Sequence, residues 1–150
     1  MRQPNCLIVG LRRSELFALQ WKDVDFEAKQ IHINRSIVQN VIGVCKTESS
    51  QKPVPAHEDL INALREWRRR TPYQSAQNWM FASRVNQGRW PYLAQEIMRR
   101  QIRPVARKLG IAKRIGWHTF RHTYSTLLRS TGAELKIMQE LLRHSTIRVT

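Results

Sequence analysis

The apolar residues of this chain change their spacing once, and that change limits the fold more than any other feature. Across Ile31-His32-Ile33-Asn34-Arg35-Ser36-Ile37-Val38 they alternate, the mark of a strand with one wet face. Residues 41–45 read as a second short strand, and Val54, between Pro53 and Pro55, ends a third. From Glu58 onward the spacing is helical, and Leu60, Ile61, Leu64 and Trp67 share one face of a helix over residues 58–70. An earlier helix is expected over residues 14–19, with Ser14 as N-cap and Leu16, Phe17 and Leu19 as its apolar face. Pro91 is placed to open a helix that runs to about Leu109, is interrupted at Pro104 and is capped by Gly110. Residues 119–130 and 134–143 read as two further helices, and Met80-Phe81 as a buried point in a loop-rich stretch. The pattern predicts an α+β fold, mainly α, with a small three-stranded antiparallel sheet near the N-terminus, in a single domain over residues 1–150.

Charge narrows the partner. The chain has 150 residues, with 26 Lys and Arg against 11 Asp and Glu, a formal net charge of +15. A compact domain this basic repels itself, and a polyanion is the simplest reason to carry the load. Arginine dominates the basic residues, and its planar fork grips a phosphate through two hydrogen bonds where lysine offers a point charge. Between Glu96 and Glu134 there is no acidic residue, while Arg99, Arg100, Arg103, Arg107, Lys108, Lys113, Arg114, Arg121 and Arg129 all fall there. A solvated helical face mixes signs; this one does not, and it reads as a surface turned to DNA. The two cysteines, Cys6 and Cys45, form no CxxC pair, so neither a disulfide scaffold nor a zinc finger is indicated. No run reaches membrane-spanning length and no signal peptide is recognisable, so a cytosolic or nucleoid-bound protein is expected.

Four short segments follow one another in order. They are Gly10-Leu11-Arg12-Arg13-Ser14-Glu15-Leu16; Lys46-Thr47 ahead of Lys52-Pro53-Val54-Pro55; His118-Thr119-Phe120-Arg121-His122; and Leu141-Leu142-Arg143-His144-Ser145. Together they resemble the catalytic domain of tyrosine recombinases and phage integrases, over nearly the whole chain from Gly10 to Thr150. Each segment alone is weak, because HxxR arises by chance; the ordered set is specific.

The resemblance implies a role for each residue. Arg12 and Arg121 would clamp the non-bridging oxygens of a scissile phosphate. Lys46 would protonate the leaving 5′ oxygen, with Lys52 as a nearby rival. His118 would serve acid–base chemistry and phosphate contact, and His144 would donate to the phosphate. Glu15 would orient the arginine and histidine. Arg13, Lys52, Arg99, Arg103, Arg107, Lys113 and Arg114 are the expected DNA contacts. Such a set suits phosphodiester exchange, whose pentavalent phosphoryl species carries extra negative charge that fixed Arg and His donors stabilise. A lysine of depressed pKa can protonate the leaving alkoxide. His118 and Arg121 stand three apart on a helix and so share a face. Arginines then supply the charge that a metal ion supplies elsewhere, and neither metal nor other cofactor is expected. His118 and His122 have the four-residue spacing of zinc ligands, but no glutamate or paired cysteine accompanies them.

Two departures from the family pattern matter. The family's nucleophile is a tyrosine about nine residues past the position of His144, and this sequence runs to Thr150. Tyr73, Tyr92 and Tyr124 do not take that place; Tyr124 sits in a register that the family fills with a core aromatic. Only nine residues precede Gly10, where the family has a further helix and a DNA-clamping domain. The expectation is therefore an incomplete catalytic domain that binds duplex DNA, does not cleave by itself, and self-associates on DNA only as part of a longer protein. A non-catalytic DNA-binding module or decoy of recombination uses the same residues for affinity alone, and a type IB topoisomerase relative shares the chemistry. Neither a membrane nor a small-molecule substrate is expected.

Overall fold

The computed structural model describes residues 10–44, 53–130 and 132. They form a mainly helical α+β fold, as the periodicity predicts. Helix α1 (Arg13–Leu16) leads through a 3-10 turn (Trp21–Asp23) into strands β1 (Val24–Asp25), β2 (Gln30–Ile31), β3 (Arg35–Val38), β4 (Val41–Val44) and β5 (Val54–Pro55). Helix α2 (Glu58–Arg70) follows. Then α3 (Ala94–Ile97) continues through a π-helical turn (Met98–Ile102) into α4 (Arg103–Lys108), and α5 (Trp117–Ser130) comes last among the described residues. The expected helix over residues 134–143 lies outside them.

A three-stranded antiparallel sheet is present, in the order β1-β2-β5, but alternation alone selected a different trio. The run from Ile31 to Val38 is two strands. Between them His32 donates its N–H to the Asp23 carbonyl at 2.8 Å, and Ile33 is driven into the core. Strands β3 and β4 form a separate hairpin that closes at Val38 opposite Val41. Its two turn residues, Gln39 and Asn40, both have positive φ (49° and 62°), the mirror-image turn whose twist matches the flanking strands.

The core gathers around α2. Leu60, Ile61, Leu64 and Trp67 are all buried and pack in one cluster with Trp21, Ile31, Ile33, Val54 and Phe81. Full burial of each such side chain contributes about 1.5–3 kcal/mol. His57 caps α2 by accepting from the Asp59 N–H at 3.3 Å. Acidic Glu58 and Asp59 at its start and Arg68, Arg69 and Arg70 at its end complement the helix dipole.

The start of α1 and the stretch before α3 differ from expectation, and the interruption expected at Pro104 takes the form of a π turn. Arg12, not Ser14, is the N-cap of α1, because the Glu15 carboxylate reaches back to the Arg12 N–H at 3.0 Å. Pro91 does not open a helix. The Ser83 N–H donates to the Trp90 carbonyl and the Tyr92 N–H to the Phe81 carbonyl, both at 2.8 Å, so residues 90–92 run extended and α3 begins at Ala94. Pro104 has no N–H and its ring would strike the carbonyl four residues back; the helix accommodates it by widening into the π turn just before it. Gly110 behaves as expected. With φ +73° it ends α4 in a Schellman arrangement, its own N–H on the Arg107 carbonyl and that of Ile111 on the Ala106 carbonyl, each at 3.0 Å.

Gly88 has a sharper requirement. Its φ is +76°, and a Cβ there would stand 2.4 Å from Tyr73 Cε1. Gly88→Ala is expected to lower unfolding free energy by about 2 kcal/mol through backbone strain and a displaced Tyr73 ring. Urea unfolding checks this; a loss within error of zero would mean that the ring does not rest against this turn.

Candidate functional site

Helix α5 docks where α1 begins and ends. At its start, the Trp117 indole N–H donates to the Ala94 carbonyl at 3.1 Å, and its ring meets Phe17 edge-on at 5.2 Å between centroids. Phe17 in turn contacts Phe81 at 5.5 Å, which ties α5 to the core. One turn further along, Arg121 Nη1 donates to the Gly10 carbonyl. Gly10 lies two residues before Arg12 and has φ +60°, a left-handed conformation that glycine adopts without strain.

Arg12 is held from its own helix. Its Nη1 donates to Glu15 Oε1 at 2.9 Å while its backbone N–H donates to Glu15 Oε2 at 3.0 Å. The Glu15 side chain is buried at 5% exposure and that of Arg12 is 43% exposed, so a buried carboxylate orients a partly exposed arginine. The structure therefore brings together the segments of Arg12, Glu15 and Arg121. His118 lies exposed one turn before Arg121 on α5, as the three-residue spacing requires. Lys46, Lys52 and His144 lie outside the described residues. The chemistry available at the described positions is that of fixed cationic donors for an oxyanion, with a neighbouring imidazole able to move a proton.

The expected DNA-contact residues separate into several environments. Arg13 is exposed on α1, and Lys113 and Arg114 are exposed in the connection before α5. Arg107 is exposed on α4. Arg99 pairs with Glu96 at 2.9 Å, and hydrogen bonds from Arg99 and then Arg100 hold the Glu96 carboxyl below its ordinary pKa. Arg103 is turned partly inward, its Nε donating to the Ile115 carbonyl at 3.3 Å, so it braces the connection to α5.

Three contributors were not identified from sequence. The Gly10 carbonyl anchors Arg121, although the sequence marks Gly10 only as the first residue of a motif. Trp117 seats α5 from just outside the expected helix start. Asp23 is buried and receives Arg35 through Nη1 to Oδ2 at 2.8 Å and Nη2 to Oδ1 at 3.2 Å. Arg35 Nη1 also donates to Gln20 Oε1 at 2.8 Å, so this network roots the β3–β4 hairpin on the chain that leaves α1. Tyr124 is half-buried on α5, and burial pushes its phenol above the ordinary value of 10.0, which disfavours the phenolate. Among the described residues no three His, Cys, Asp or Glu side chains converge to hold a metal ion, and no helix is long and apolar enough to cross a membrane.

Comparison with known proteins gives the family and the fold. Residues 5–150 match the phage integrase family. The tyrosine recombinase XerC of Xanthomonas axonopodis pv. citri (strain 306) is 32% identical over 141 residues, covering 94% of this chain and 41% of the relative. A tyrosine recombinase XerC-like protein of Caldanaerobacter subterraneus subsp. tengcongensis is 31% identical over 161 residues, covering 94% of this chain and 41% of the relative. The Tn1549 transposon integrase, solved with a circular intermediate DNA, superposes with a TM-score of 0.78 at 26% identity, over 94% of this chain and 49% of that one. XerA recombinase shares the fold at a TM-score of 0.69 and 24% identity, over 93% of this chain and 47% of that one. The chain thus spans about two fifths of the length of these curated relatives.

Proposed function

Because this chain belongs to the phage integrase family, we propose that it supplies the phosphate-gripping part of a site-specific tyrosine recombinase and binds duplex DNA. Arg12 and Arg121 clamp the non-bridging oxygens of one phosphate. Glu15 fixes the direction of Arg12. His118 donates to the same phosphate and exchanges protons with the reacting oxygens. Lys46, with Lys52 as the alternative, protonates the 5′ oxygen as it leaves, and His144 adds a further donor. In the whole protein a tyrosine hydroxyl attacks phosphorus, a 3′-phosphotyrosine forms and the 5′-hydroxyl departs; the reverse attack rejoins the strand. We assign none of Tyr73, Tyr92 and Tyr124 to that nucleophile. Arg13, Arg99, Arg103, Arg107, Lys113 and Arg114 follow the backbone on either side. Self-association on DNA and residence on the nucleoid belong to the same reading of the longer protein.

The observation that carries this reading is the meeting of Arg121 with the Gly10 carbonyl, which sets the HxxR helix against the segment that presents Arg12. Arg12→Ala and Arg121→Ala are each expected to weaken duplex binding by about 10- to 100-fold, the loss of one charge-assisted phosphate contact. Arg69→Ala, on α2 beside Glu66, is expected to change it little. Fluorescence anisotropy with a labelled duplex makes the measurement, and equal losses at all three positions would reduce the site to diffuse charge. A covalent adduct between this chain and a suicide DNA substrate would overturn the assignment of the three tyrosines.

A further inference from the structure

A second basic feature shares no residue with the phosphate-gripping set. Between α2, the loop that follows it and the π turn with α4 lies a cleft of about 510 Å³. Three aromatic side chains, Trp67, Tyr73 and Tyr92, and three cations, Arg84, Arg100 and Lys108, line it, and no carboxylate is among its lining residues. Arg100 and Lys108 line this cleft, whereas Arg99, Arg103 and Arg107 do not.

The walls are set before any ligand arrives. The Trp67 indole N–H is committed to the Met80 carbonyl at 2.9 Å. The Tyr73 carbonyl accepts from the Trp21 indole at 2.8 Å, and the Tyr73 ring rests against Gly88, where a Cβ would collide with it. The Tyr92 N–H is held by the Phe81 carbonyl at 2.8 Å. No described residue hydrogen-bonds either phenol hydroxyl. Arg100 meets Glu96 through Nε at 2.6 Å, which leaves the two terminal nitrogens of its guanidinium for another acceptor. A volume of this size suits a small molecule, and the lining asks for a planar aromatic part beside a multiply charged anionic part.

We propose that this cleft binds a nucleoside phosphate, with the base against the tyrosines and the phosphate on Arg100 and Lys108. Arg100 and Lys108 fall in the basic stretch that reads from sequence as a DNA-facing surface, but the cleft shares no residue with the DNA contacts assigned above and does not depend on them. Calorimetric titration of the 150-residue chain with AMP is expected to show saturable one-to-one binding. Adenosine and inorganic phosphate, each lacking half of the recognised chemistry, are expected to bind at least about tenfold more weakly. The double variant Arg100→Gln, Lys108→Gln is expected to weaken AMP by about tenfold or more, as lost charge-assisted contacts do. Val105→Glu, which sets a carboxylate in the exposed lining, should do the same. Arg99→Gln with Arg107→Gln should leave AMP affinity unchanged, and so should a saturating short duplex. The proposal is overturned if AMP does not saturate, if phosphate alone binds as tightly, or if the Arg99 and Arg107 variant loses as much. Displacement of AMP by duplex also overturns it, because the cleft would then be part of the DNA surface.

Discussion

Arg35→Ala is expected to lower the free energy of unfolding by about 3–5 kcal/mol, the cost of leaving a buried charge without its partner. Asp23 is 2% exposed in its side chain and Arg35 only 17%, so water cannot replace the lost guanidinium. The Asp23 carboxylate would keep the Gln20 N–H at 2.8 Å and Asn34 Nδ2 at 3.3 Å, neutral donors that do not balance a full charge. Equilibrium urea unfolding measures the loss. The double variant Asp23→Leu, Arg35→Met removes both charges and is expected to recover much of it. A single-variant loss below about 1 kcal/mol would place the pair among exposed ion pairs, which contribute little.

Affinity for duplex DNA is expected to fall by about 10³–10⁵ between 50 and 200 mM salt, the range for a protein that neutralises six to ten phosphates. Arg12, Arg121, Arg13, Arg107, Lys113 and Arg114 reach that lower bound without Arg99 or Arg103. Arg99 can join by leaving Glu96, since exposed ion pairs are weak. Arg103 is expected to add less, because its Nε serves the Ile115 carbonyl. The slope of log affinity against log salt is the measurement. A slope near zero would remove the phosphate backbone as the main source of binding, whatever the affinity at one salt concentration.

Local pattern made much of this fold legible. The α2 boundaries and its buried face, the apolar face of Leu16, Phe17 and Leu19, the burial of Met80 and Phe81, and the Gly110 cap all follow from periodicity and capping chemistry. The sheet and Pro91 misreadings come from partners outside the segment being read, whereas the α1 cap turns on Glu15 three residues from Arg12. Alternation through Ile31–Val38 carries no sign that Asp23 will draw Arg35 inward, or that its carbonyl will take the His32 N–H. Pro91 looks like a helix opener until residues 81–83 pair with its neighbours. In the candidate site, spacing placed His118 and Arg121 on one face and the motif set Glu15 beside Arg12. The carbonyl that receives Arg121, and the cleft walled by aromatics from three elements, depend on tertiary packing that no short motif encodes.

The bond from Arg121 to Gly10 joins residues 111 positions apart, so the site closes a long loop of the chain. Such non-local pairing forms late, after nearer contacts have met their entropic cost. During synthesis, Gly10 and Arg12 leave the ribosome long before α5 exists to meet them. On the proposed reading, the phosphate grip therefore waits on synthesis of α5, and a nascent or partly unravelled copy carries its positive charge without that organisation.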